Sequence, residues 1–399
     1  PELVDTIASS IEQKLGRFRY QWLVDYSAGM GAFGDRFMRH KLESASALYV
    51  EKDYITAKLL EEIHRETPMR VVDRGMEEVE LPAGIKPDIM VSNIPFAGKH
   101  LEEYAWKNVS GKTDSLHNYA FRRNVDDARE GGLIVLIAPV HILDQDANAI
   151  ASLESPNRLT PKSHLREVLE REANLVAYCR LPNGCFRNTK AMADIIILQK
   201  DSTKAMRKDP NTGSSLSISE QYLLELTYGI NKRSSVDISE YDAKTRQRRT
   251  ETLPVHLRAS PASLSFVSPT TDPKMRYVIA DARVELEKPW IRKVGAKKYA
   301  VADYEFTHSG GMQKALQEID ASLRWQIDLQ LNVELYQAHR KPTIICENKP
   351  NPLTHGTQQL LSREQLEARM RARGVEPDRE KQRASKDKKV QELRRKRRL

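Results

Sequence analysis

The chain has 399 residues, enough for two or three domains, and its 40% hydrophobic and 30% charged content fits a soluble protein with extended polar segments. No run approaches the 18 or so apolar residues that cross a bilayer, and the amino terminus lacks the basic-then-apolar pattern of a secretion signal. A cytoplasmic protein is expected. The formal charge of +9 sits mostly at one end: residues 363–399 carry 15 Lys and Arg against 7 Asp and Glu, a surplus of 8. A tail of that kind attracts polyphosphate through counterion release without reading sequence, or serves only as a solvated, loosely helical end. Cys179, Cys185 and Cys346 form no metal-ligand spacing and leave an odd count, which reads as reduced thiols in packing roles and predicts no metal.

Taken in order, residues 1–16 place apolar side chains at helical spacing (Leu3, Val4, Ile7, Ile11, Leu15). Strands and helices then alternate: 21–25, 35–41, 47–50 and 54–66, followed by short strands at 71–72 and 88–92. This alternation predicts a mostly parallel, doubly wound sheet with right-handed crossovers. Residues 116–130 read as a helix that stops at Gly131 and Gly132, where the buried strand 133–138 begins. Two further strands, 174–181 and 193–199, are joined by a loop that carries Phe186. Beyond residue 200 the pattern weakens. Residues 201–275 read as linkers around small pieces with a helical patch at 217–227, residues 276–285 and 298–306 as a hairpin or small sheet, and 312–340 as a helix. The expected domains are therefore 1–200, a linker region 201–275, an accessory α+β region 276–345 and a basic tail 346–399.

Two stretches carry chemistry. Asp25-Tyr26-Ser27-Ala28-Gly29-Met30-Gly31 follows an apolar strand and precedes a helix, and its glycines let backbone approach a ligand at a helix amino terminus. Glu51 ends the next strand about 20 residues later, where an acid can accept both hydroxyls of a ribose. The second stretch, Asp88-Ile89-Met90-Val91-Ser92-Asn93-Ile94-Pro95-Phe96, is a buried strand that stops at an amide, a proline and an aromatic ring. The Asn93 oxygen and the Ile94 carbonyl can each accept from one amino group, while Phe96 offers a face to a flat heterocycle.

These residues, in this order, resemble the motifs of S-adenosylmethionine-dependent adenine-N6 DNA methyltransferases, in which a glycine-rich cofactor motif precedes a catalytic Asn-Pro-Pro-Phe or Asn-Pro-Pro-Tyr. The resemblance covers about residues 1–200. It implies a Rossmann-like class I methyltransferase fold with an antiparallel edge hairpin, with S-adenosyl-L-methionine as cofactor. It also implies double-stranded DNA as substrate with the target adenine flipped out, a separate specificity, nuclease or helicase subunit or domain, and a bacterial, phage or plasmid origin within restriction-modification. Catalytic roles carry to Asn93, Ile94, Pro95 and Phe96, and cofactor contacts to Asp25, Ser27, Ala28, Gly29, Gly31, Glu51 and Asn93. Ile94 stands where the family usually has proline. Met76 stands where it usually has an acid for the cofactor's adenine, with Asp73 or Glu77 as substitutes. Phe186 lies near the implied base pocket, and residues 99–115, with Lys99 and Lys112, read as a polar lid that meets nucleic acid.

An exocyclic amine is a poor nucleophile because its lone pair is delocalised into the ring. Acceptors at both N–H groups draw the nitrogen toward tetrahedral geometry, and orientation then does much of the work. No Pro-Cys pair follows a strand, which argues against the thiolate chemistry of cytosine-C5 methylation. The same turn also suits RNA bases or a protein amide, and a non-catalytic methylase-like DNA-binding or protection protein of a phage or plasmid stays open.

Overall fold

The computed structural model describes residues 2–15, 22–39, 46–67, 69–81, 85–96, 116–142, 164–182, 184–186, 193–229, 235–242, 247–257, 282–286, 290–294, 297–302 and 304–338. Seven strands, β1 (Trp22–Asp25), β2 (Ser46–Glu51), β3 (Met69–Asp73), β4 (Ile89–Asn93), β5 (Leu133–Pro139), β6 (Ala173–Arg180) and β7 (Ala193–Lys200), form one sheet. Their order is β3-β2-β1-β4-β5-β7-β6. Neighbours from β3 to β5 are parallel, and β7 alone runs antiparallel, between β5 and β6. Strands β5 and β7 are buried along their whole length, which is why their sequences are apolar without alternation. The expected mixed sheet with its antiparallel hairpin is thus present.

Helices α1 (Glu2–Leu15), α2 (Ala32–Arg39), α3 (Tyr54–Ile63), α4 (Leu116–Asp127) and α5 (His164–Arg171) cover the sheet. Asp53 starts α3 by accepting from the Thr56 amide, and Gly131, at a φ of 71°, turns the chain from α4 toward β5. Helix α2 connects β1 to β2 in one direction along the sheet and α4 connects β4 to β5 in the other, so right-handed crossovers place them on opposite faces. The strand order therefore reverses between β1 and β4. A crevice opens at their carboxyl ends.

Later in the chain come α6 (Ile218–Gly229), β8 (Ser235–Asp242), β9 (Gln247–Leu257), β10 (Ala282–Leu286), β11 (Trp290–Val294), β12 (Lys297–Ala302), β13 (Tyr304–His308), α7 (Gly311–Gln330) and α8 (Val333–Ala338). The region read as linker contains the β8–β9 hairpin, which joins β11 and β12 in a four-stranded sheet, while β10 pairs with β13. The continuous helix expected over 312–340 breaks at Leu331, whose backbone is extended, and Asn332 restarts it by accepting from the Leu335 amide.

Residues 311–338, expected in an accessory region, join the core of the seven-stranded sheet through Ile319, Leu323, Ile327, Leu331 and Tyr336. Helix α7 packs on α1 and β6. Gln326 accepts from the Tyr178 amide and donates to the Tyr178 carbonyl, both at 3.0 Å, so one carboxamide satisfies the outer edge of β6. At the amino ends of β4 and β5, Arg129 donates to Asp88 and to the Tyr336 carbonyl and stacks on the Tyr336 ring. Helical periodicity shows that a helix has an apolar stripe but not which core receives it. The basic tail and the expected lid lie outside the described residues. Among the described residues no helix is long and apolar enough to cross a membrane.

Candidate active site at the carboxyl ends of β1 and β4

Strands β1 and β4 lie side by side, with Asp25 opposite Val91, so the glycine turn and the Asn-Ile-Pro-Phe turn leave the sheet as neighbours. Gly29 and Gly31 both have positive φ, 53° and 77°. A Cβ on Gly31 would lie 2.7 Å from a Leu60 methyl, whereas Gly29 has open space where its Cβ would be. The first glycine thus makes a bare surface and the second makes a tight turn. Glu51 buttresses this loop from β2: one carboxylate oxygen accepts from the Gly29 amide and the other from the Asp53 amide, each at 2.8 Å. A carboxylate held at both oxygens still has lone pairs for two hydroxyl donors.

Asp25, at the end of β1, is fully buried. One of its oxygens accepts from the Ser27 amide at 3.0 Å, and Oδ2 has no hydrogen-bond partner among the described residues. Burial pushes this carboxyl up to about 7; the Ser27 amide opposes the rise, while the nearby Glu51 and Asp35 carboxylates add to it. An orphaned acceptor beneath a glycine turn suits a ligand that brings a cationic donor.

On β4 the exposed Asn93 side chain has no hydrogen-bond partner among the described residues, and no described group donates to the Ile94 carbonyl. Ile94 itself is buried, and its amide donates to the Ile137 carbonyl in β5 at 2.8 Å. Pro95 is half-buried, and Phe96 is 38% exposed, its ring edge-to-face with Phe186 at 6.2 Å. The hairpin loop and the catalytic-type turn therefore meet through two aromatic rings. The Ser27 hydroxyl donates to the Asn93 carbonyl at 2.9 Å and lies 2.6 Å from the Ser92 hydroxyl. That contact ties the glycine turn directly to the Asn93 turn.

At the end of β3, Met76 is buried in the core, so its side chain packs. Asp73 is exposed, with Lys58 at 3.9 Å, and Glu77 pairs with Lys52 at 3.1 Å while its carboxylate folds over Gly75, where a Cβ would meet it within 2.5 Å. Of the two acids, Asp73 has the more accessible carboxylate. Ala28 donates its amide to the Val50 carbonyl and only supports the turn. Lys99 and Lys112 lie outside the described residues. Two contributors went unread in the sequence, Ser92 and Ile137. A hydroxyl inside an apolar buried strand was the available signal for Ser92, since a buried O–H has to find a partner. The Ile137 carbonyl left none.

No protein-family model matches the chain, and no curated protein matches it in sequence. Solved structures resemble it only at low scores. A protein described as a class I S-adenosylmethionine-dependent methyltransferase from Listeria monocytogenes is 14% identical over 56% of this chain and 68% of its own, with a TM-score of 0.39. The modification subunit of a type I restriction enzyme from Vibrio vulnificus is 14% identical over 63% of this chain and 55% of its own, at 0.38. A type I restriction-modification methyltransferase subunit from Streptococcus thermophilus is 16% identical over 57% and 52%, at 0.40. With scores this low, the strand order of the sheet carries the assignment. The fold is Rossmann-like, a mostly parallel doubly wound sheet with an antiparallel pair at one edge. This chain spans about half the length of the two restriction-system subunits.

Proposed function

We propose that the protein is an S-adenosylmethionine-dependent methyltransferase that modifies the exocyclic N6 amine of adenine in DNA. The observation that carries this reading is the junction of the two turns: the Ser27 hydroxyl reaches the Asn93 carbonyl at 2.9 Å, so a ligand on the glycine turn and an amine at Asn93 share one cleft. The residues present fit the cofactor. Glu51 is held to receive a ribose diol, Gly29 leaves its surface bare, the buried Asp25 oxygen awaits a donor, and Asp73 lies accessible at the next strand end for an adenine amino group. When bound, the cofactor supplies a methyl group on a sulfonium centre.

The chain's own part is orientation. Asn93 Oδ1 and the Ile94 carbonyl accept hydrogen bonds from the two amine N–H groups and so expose the nitrogen lone pair. Phe96 stacks on the base, with Phe186 at its edge. The amine is inaccessible inside a duplex, so the base is flipped out at a cost of roughly a few kcal/mol; stacking returns about 1–3 kcal/mol of it. DNA is favoured over a protein amide by the charge surplus of residues 363–399, which suits a phosphate backbone. As in restriction-modification systems, a further specificity or nuclease subunit would complete the assembly.

The test is transfer of label from methyl-labelled S-adenosylmethionine to DNA, RNA and protein offered in parallel. The expected result is label on DNA adenine. Label on RNA or protein alone would reject the substrate class, and an absence of cofactor binding would favour a non-catalytic DNA-binding protein.

A further inference from the structure

The peptide group between Asn93 and Ile94 is gripped from both sides. On one side the Ser27 hydroxyl donates to the Asn93 carbonyl at 2.9 Å; on the other the Ile94 amide donates to the Ile137 carbonyl at 2.8 Å. Ser27 has one hydroxyl proton, and a carbonyl oxygen can only accept. The 2.6 Å contact between Ser27 and Ser92 therefore has Ser92 as its donor. A chain of hydrogen bonds results, from Ser92 on β4 to Ser27 on the glycine turn, back to the Asn93 carbonyl, and through the peptide to β5. Bonds in such a chain polarise one another. The Ile94 side chain, fully buried, fixes the far end.

We propose that Ser27 is a positioning residue: its hydroxyl sets the plane of the Asn93–Ile94 peptide, and through it the directions of the Asn93 carboxamide and the Ile94 carbonyl. Those are the two groups that accept the amine's N–H hydrogen bonds in the reaction above, so the effect on rate rests on that reading. Ile94 takes part because it has an amide proton. A proline at 94 would have none for Ile137 and would rely on its ring to fix φ. In this chain a hydrogen-bonded clamp does the work that a ring would do there.

The test uses the full chain with Ser27→Ala and Ser27→Thr, and reads three quantities: exchange of the Ile94 amide with deuterium, cofactor Kd, and kcat on adenine-containing DNA at saturating cofactor. Ser27→Ala is expected to speed Ile94 exchange and lower kcat, each by about tenfold, the scale of one lost hydrogen bond, while cofactor Kd stays within about twofold. Ser27→Thr keeps the hydroxyl and restores both. Unchanged exchange in Ser27→Ala overturns the proposal, as does a raised Kd at unaltered kcat, which would make Ser27 a cofactor contact. If the wild type methylates nothing, the functional reading falls and the exchange measurement alone decides the clamp. Faster exchange then supports it, and unchanged exchange refutes it.

Discussion

Glu51 and Asp25 show how differently two acids of one loop are held. Glu51 meets main-chain donors at both oxygens and remains open to hydroxyls, so Glu51→Ala is expected to weaken S-adenosylmethionine binding about 10- to 100-fold, the scale of hydrogen bonds to a charged acceptor. Calorimetric titration checks this; unchanged affinity would remove the ribose assignment. Asp25 takes up its proton at about 7 in the folded chain and at 3.8 as an unperturbed group. Between those values the folded state binds more protons than the unfolded one, so this group's contribution makes the protein less stable as pH rises from about 4 through 7. Asp25→Asn should therefore raise the melting temperature of the ligand-free protein at pH 8, by the equivalent of up to about 4 kcal/mol, and the gain should fall to less than half by pH 5 and fade near pH 4. A gain independent of pH would contradict the buried charge. The positions of Asn93 and Glu51 were legible in the sequence because each is a polar residue that ends an apolar strand, and that of Phe96 because it follows Pro95 just beyond β4. The Ser27–Ser92–Asn93 chain was not, since its partners lie 65 and 66 residues apart.

Among the elements, β1, β4 and β5 were readable as apolar runs, and so was the glycine stop after α4. What the sequence hid was the destination of α7. Its stripe of Ile319, Leu323 and Ile327 was visible, yet its place beside β6 is marked by the amide of Gln326, buried against the edge of that strand. Gln326→Ala leaves the Tyr178 amide and carbonyl buried and unpaired and is expected to cost about 2–5 kcal/mol, at about 1–3 kcal/mol per unsatisfied group. Urea unfolding measures it. A loss under about 1 kcal/mol would show that water replaces the glutamine. The break between α7 and α8 also escaped the periodicity, because Leu331 keeps the apolar spacing while Asn332 acts as a cap and not as a helix interior residue.

For the whole molecule, a mostly parallel, doubly wound sheet was foreseeable from the alternation of elements, and its observed order places the crevice where β1 and β4 part. The domain boundary was not, because residues far apart in the chain complete one core: α7 covers α1 and β6, and Arg129 fastens Tyr336 to Asp88 beneath β1 and β4. A fragment ending at residue 200 is therefore expected to lack a cooperative unfolding transition, while one ending at 338 keeps it. A sharp transition in the shorter fragment would refute this. In the proposed reaction the Asn93 turn faces the methyl donor across a shared cleft. The most direct measurement is N6-methyladenine formation in duplex DNA under single-turnover conditions, for wild type and Asn93→Ala, with cofactor Kd determined for each. A rate loss of about 100-fold or more is expected in Asn93→Ala at saturating cofactor. Equal rates of N6-methyladenine formation in the two proteins would contradict it.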